Sequence, residues 1–117
     1  MGLLSGKEKR ADMTEEHKIQ NEIRVAVAPY AVIFRVNVGC GKTYDGRHFD
    51  SGVPKGFSDL FGIRKSDGKA IFIEVKTPQG KVRSEQKQFI EQMKKTEAIA
   101  GVCRSADDAI NLINGGK

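Results

Sequence analysis

Asp59, Glu74 and Lys76 are the residues whose types and spacing could do chemistry. Glu74 and Lys76 stand two apart in the apolar run Ile71-Phe72-Ile73-Glu74-Val75-Lys76, and Asp59 lies fifteen residues before Glu74. A charged pair inside an apolar strand is costly unless something compensates it. A divalent cation and a phosphate would do so. Magnesium prefers carboxylate, carbonyl and water oxygens, so Asp59, Glu74 and the carbonyl of Val75 could supply the protein part of a metal site. A metal there would lower the pKa of a bound water and polarise a phosphate. Lys76 would orient or deprotonate that water, or neutralise charge building at phosphorus. Glu-x-Lys by itself is common and usually a solvated strand pair. The set gains weight only if Asp59 is brought beside it.

The intervening sequence predicts that it is. Asp67-Gly68 is a two-residue hairpin signal between two hydrophobic runs. A turn centred there pairs Arg64 with Ile71, Phe61 with Glu74 and Asp59 with Lys76. Strand side chains alternate faces, so Asp59, Phe61 and Ile63 share a face with Phe72, Glu74 and Lys76. The three polar groups then converge at the open end of the hairpin. A slip of one residue would send Asp59 to the other face.

Other residues are candidates to join them. Glu16 falls on the apolar stripe of a predicted first helix with Ile19, Ile23 and Val27, whereas Glu22 falls to one side. Glu16 is therefore the better inward carboxylate, with simple stabilisation by the helix dipole as the competing reading. Gln20, one turn on, could reach the same cleft. Gln86 opens the helix after the site strand and could position phosphate or water, although a surface glutamine reads the same way. Val38-Gly39-Cys40-Gly41-Lys42-Thr43 imitates a phosphate-binding P-loop, but Val36 stands where its first glycine should, and no helix is predicted to follow. An ATPase and a nucleotide cofactor are excluded on that ground. Lys42, Arg47 and Lys55 in this Gly-rich stretch, and Lys81, Arg83 and Lys87 around the second helix, are candidate contacts to a nucleic-acid backbone. Solvated basic faces have the same composition.

The chain of 117 residues fits one domain, 13–117, behind a basic lead at 1–12 predicted to be flexible. A net charge of +5 suits a polyanionic partner. No apolar run is long enough to span a membrane, and Met1 to Met13 carries no signal-peptide core. Cys40 and Cys103 lack metal-ligand spacing and make no disulfide framework. A reduced, cytoplasmic protein is the expectation. Helices are predicted near 14–28, 84–96 and 106–113, with Thr14 and Ser105 as caps. Strands are predicted at 31–38, 58–64, 70–76 and 99–104, with a long connection at 39–56 that could hold a small hairpin at 43–49. Both faces of the 58–76 hairpin carry apolar residues, so helices must cover both sides. The order α-β-β-β-α-β-α makes an α/β sandwich around a central mixed β-sheet.

Five short segments occur in a telling order: Glu16-x-x-Ile19-Gln20, Asn37-x-Gly39, Gly56-Phe57-Ser58-Asp59-Leu60, Ile73-Glu74-Val75-Lys76 and Ser84-Glu85-Gln86. With the closing Val102-x-Arg104-Ser105, this set resembles the VRR-NUC family of the PD-(D/E)xK nuclease superfamily over roughly residues 15–113. Ser58 departs from it, since a proline commonly precedes that aspartate. The resemblance implies a restriction-endonuclease-like core, Mg²⁺ or Mn²⁺ at the site, and Glu16, Asp59, Glu74, Lys76 and Gln86 as site residues. It also implies similarity to stand-alone phage and bacterial members that act on Holliday junctions as homodimers. The expected activity is therefore metal-dependent hydrolysis of branched DNA. A non-catalytic nucleic-acid-binding module and a nicking or duplex nuclease without junction selectivity are the alternatives.

Overall fold

A computed structural model describes residues 14–37, 40–42, 45–50 and 52–115. The basic lead at 1–12, the P-loop-like residues 38, 39 and 43, and the side chain of Lys42 lie outside that description. Among the described residues, three helices, α1 (Glu15–Val27), α2 (Ser84–Lys94) and α3 (Ala106–Gly115), accompany six strands. The strands are β1 (Ala31–Arg35), β2 (Cys40–Lys42), β3 (His48–Asp50), β4 (Leu60–Arg64), β5 (Ala70–Val75) and β6 (Ile99–Cys103). β1, β4, β5 and β6 form one sheet in that order, antiparallel except for the parallel β5–β6 pair. β2 and β3 form a separate ribbon inserted between β1 and β4, where Lys42 pairs with His48 and Cys40 with Asp50. The P-loop-like segment thus leads into a strand, not a helix. Apart from this ribbon the order is the expected α-β-β-β-α-β-α around a mixed sheet.

Local chemistry explains the ends of the helices. Thr14 Oγ1 accepts the His17 N–H at 3.1 Å, with Glu15 and Glu16 in the first turn where the helix dipole favours them. Ser105 Oγ accepts the Asp108 N–H at 3.1 Å and starts α3 in the same way. The β4–β5 connection then ties both helices down at their far ends. Lys65 Nζ donates to the Ala28 carbonyl at the end of α1, and an Arg64 guanidinium nitrogen donates to the Ile113 carbonyl in the last turn of α3. Cations at C-terminal carbonyls satisfy groups the helices leave open.

One core lies between the sheet and the pair α1 and α3. Ile19, Ile23 and Val27 meet Leu60, Ile71, Ile73 and Val75, with Ala109 and Ile113 closing the third side. The opposite face is aromatic. Phe57, Phe61, Phe72 and Phe89 pack with ring centroids 4.7–6.4 Å apart, which seats α2 on the sheet through Phe89. This cover stops short of the β1 edge, where Val32, Phe34 and Ile63 stay exposed.

The hairpin register differs from the expected one. Leu60 pairs with Ile73 and Phe61 with Phe72, a shift of two residues from the pairing predicted for a two-residue turn. The loop instead spans 65–68, closed by Arg64 N–H donating to the Lys69 carbonyl at 2.8 Å. The Asp67 carboxylate sits inside it, accepting from the Arg64 guanidinium at 2.7 and 3.1 Å and from the Lys69 N–H at 3.2 Å. That arginine holds the Asp67 carboxyl down at about 2. A side-chain clamp, rather than a tight turn at Asp67-Gly68, sets the loop length. Because strand faces alternate with period two, a shift of two leaves every side chain on its expected face.

Gly62 allows β1 and β4 to approach. A Cβ there would lie 2.0 Å from the Val32 carbonyl oxygen and 2.7 Å from Ile33 Cδ1. Gly62→Ala must therefore push two paired backbones apart. A loss of about 1–3 kcal/mol is expected, read as a lower urea midpoint at unchanged slope. An unchanged midpoint would mean that the sheet accommodates the methyl group.

Candidate active site

The corrected register places Asp59 opposite Glu74, one step beyond the Leu60–Ile73 pair, instead of opposite Lys76. Backbone contacts on both sides fix it there. The Asp59 carbonyl accepts the Val36 N–H at 2.9 Å, continuing the β1 ladder. Its carboxylate Oδ2 accepts the Val75 N–H at 2.9 Å. Val75 therefore enters the site through its amide, which orients Asp59, whereas the sequence points only to its carbonyl. Ser58, in the position of the common proline, is fully buried and donates its hydroxyl to the Leu60 carbonyl at 2.9 Å. Gly56, at φ +86°, packs its α-carbon against the Glu85 backbone, where a Cβ would come within 2.4 Å of the carbonyl oxygen. The segment bearing Asp59 is thus seated on the start of α2.

Glu74 is 1% exposed and Lys76 8% exposed, so both charged groups of the strand are buried. Lys76 Nζ lies 3.8 Å from Glu74 Oε2. Among the described residues, Glu74 Oε1 has no hydrogen-bond partner. Burial pushes the Glu74 carboxyl up to about 8, with further upward contributions from the neighbouring Asp59 and from Glu16; Lys76 opposes them. A Glu74 carboxyl held up at about 8 keeps its proton at neutral pH.

The other candidates divide by position. Glu16 is half-buried and near enough to act on Glu74, whereas Glu22 is exposed. Gln20, one turn after Glu16, is 5% exposed, and its Oε1, like that of Glu74, has no partner among the described residues. Gln86 is not a surface residue. It is buried, and its Oε1 accepts the Arg83 N–H at 2.9 Å at the start of α2. Arg47, Lys55, Lys81, Arg83 and Lys87 are exposed, and Arg47 pairs with Asp45 at 3.3 Å. Among the described residues no three His, Cys, Asp or Glu side chains converge as a ready metal cluster. Asp59, Glu74 and one backbone carbonyl nevertheless fit a magnesium-like ion, which keeps several waters and needs few protein ligands. The orphaned, buried carboxylate oxygen of Glu74 is the local reason for that fit.

No helix of the described residues is long and apolar enough to cross a membrane. No curated protein shows detectable similarity to the chain. The family model of the VRR-NUC domain matches residues 44–107. The match includes Asp59, Glu74, Lys76 and Gln86 and leaves Glu16 outside. It covers more than half of the 117 residues, so the chain belongs to the VRR-NUC domain family, related to the PD-(D/E)xK nucleases, and this membership implies nuclease activity.

Proposed function

We propose that this protein is a Mg²⁺- or Mn²⁺-dependent DNA endonuclease selective for branched DNA, with four-way junctions favoured. The observation that carries the metal dependence is Glu74: buried, with an unpartnered oxygen, and next to a second carboxyl group and a lysine. When bound, the cation would supply Lewis acidity toward water and phosphate. Asp59, Glu74 and the Val75 carbonyl would hold it, and Glu16 would add negative charge from α1. Lys76 presents its ammonium to the attacking water or to charge growing on the phosphate. Gln86, with its Oε1 engaged by Arg83, offers its amide N–H groups to phosphate. Lys42, Arg47, Lys55, Lys81, Arg83 and Lys87 track the backbone, so binding weakens steeply with salt.

Junction selectivity and a homodimer rest on the family resemblance. A two-fold dimer presents two sites to two symmetric strands. The exposed Val32, Phe34 and Ile63 at the β1 edge offer apolar surface for a second copy. The test is cleavage of a labelled four-way junction beside a linear duplex of the same sequence, with Mg²⁺, Mn²⁺ or EDTA, and with the mass of the protein–junction complex measured in EDTA. Metal-dependent cutting of the junction by a complex of two chains is expected. Equal cutting of both substrates would leave a duplex or nicking nuclease. Binding without cutting in either metal would leave a non-catalytic module.

A further inference from the structure

The chain leaves β5 through a turn that is held from outside. The Lys76 N–H still donates to the Cys103 carbonyl at 3.1 Å, carrying the β5–β6 ladder one residue beyond the strand. The backbone then turns, closed by the Gly80 N–H donating to the Thr77 carbonyl at 3.0 Å. Carbonyl oxygens of this turn converge on one guanidinium nitrogen. Arg104 Nη1 donates to Thr77 O at 2.7 Å and Gly80 O at 2.7 Å, and lies 3.4 Å from Pro78 O. Carbonyls gathered round a point repel one another unless a cation or donor sits there, and a charged donor is the stronger partner.

Arg104 is itself anchored. It follows β6, and its N–H donates to Asp108 Oδ2 at 2.9 Å in the first turn of α3. The turn lies against the site lysine: a Cβ at Gly80 would be 3.5 Å from Lys76 Cβ and 3.0 Å from Thr77 Oγ1. Lys76 is therefore bounded on one side by Glu74 and on another by a turn whose shape depends on a residue between β6 and α3. The same turn leads directly into Lys81 and Arg83.

We propose that Arg104 is a positioning residue for the Lys76 ammonium, acting by clamping the Thr77–Gly80 turn that packs against it. This rests on the reading of Lys76 as the group that acts on the water or phosphate. Arg104 does not touch the substrate. It keeps the turn, and so the lysine stem, in one arrangement, because small misplacements of a reacting group cost about 10²-fold in rate.

The test compares Arg104→Ala and Arg104→Lys with wild type, by junction cleavage and by NMR of the Lys76 ε-carbon, assigned with Lys76→Arg. Arg104→Ala is expected to lower kcat by about 10–100-fold with KM and Mn²⁺ affinity little changed. Its Lys76 ε-carbon signal should show increased mobility. Guanidinium chloride at millimolar, non-denaturing concentrations should restore both rate and signal, and sodium chloride should not. Should the alanine variant fail to fold, Arg104→Lys carries the test, since it keeps the charge but not the planar fork. An unchanged Lys76 signal, or a fall in KM-related binding alone, would overturn the proposal. A wild-type protein that cuts nothing while its Lys76 signal still follows Arg104 would sink the nuclease reading and leave the clamp standing.

Discussion

Lys76→Ala is expected to reduce metal-dependent DNA cleavage by about 10²–10⁴-fold, the range for removal of a positioned proton-transfer or charge-stabilising group. Binding of the same DNA should persist, because the exposed basic residues on other elements are untouched. The effect has two sources that the experiment must separate. Lys76 lies 3.8 Å from Glu74 Oε2 and counters the upward push on that carboxyl. Its removal therefore makes Glu74 harder to ionise and weakens metal capture near neutrality. Cleavage should accordingly be measured at saturating Mn²⁺, with metal affinity determined independently by calorimetry. A deficit that persists at saturation assigns Lys76 to the chemical step. A variant that cuts at the wild-type rate once metal saturates would reduce it to a metal-site residue.

Glu74→Gln should stabilise the metal-free protein at alkaline pH while abolishing its response to metal. In the folded chain burial pushes the Glu74 carboxyl from 4.5 up to about 8. Below the unfolded value the group is neutral in both states and costs nothing. Between about 4.5 and 8 the unfolded chain ionises while the folded one stays protonated, so stability falls as pH rises; above that the loss is complete. The size is on the order of a few kcal/mol. Thermal unfolding of the wild type without metal should thus drop between acidic and alkaline buffer, and the glutamine variant should lose much of that slope. Added Mn²⁺ should raise the wild-type midpoint most at alkaline pH, because the cation must displace the proton. It should leave Glu74→Gln nearly unmoved. A wild-type midpoint that is flat across this range would show that Glu74 is ionised in the metal-free fold.

The residues of the candidate site show why some of it could be read from sequence. The hairpin inferred at Asp67-Gly68 and strand alternation put Asp59, Glu74 and Lys76 on one face, and the observed register, two residues away, leaves them there because face depends only on parity. The partner assignment did not survive. Asp59 stands opposite Glu74, a difference created by the Arg64–Asp67 clamp in the hairpin loop. Hydrophobic spacing identified Ile19, Ile23 and Val27 as the buried stripe of α1, and short polar side chains identified its cap and that of α3. The cap that Gln86 makes on the Arg83 N–H spans only three residues and is a local contact, whereas its burial comes from tertiary packing and is not written in any nearby residue.

The sequence by itself determined the element types, their order, the faces of the strands and the three polar residues that could do chemistry. Each depends on periodicity or on groups a few residues apart. Only the tertiary structure decided the partners. It set Asp59 on the Val75 amide, seated Gly56 against the start of α2, left one Glu74 oxygen without a partner, and brought Arg104 to the turn beyond Lys76. These contacts join residues far apart in the chain, so no local pattern encodes them. The same burial that moves the Glu74 carboxyl up to about 8 exists only once α1, α2 and the sheet have closed around it.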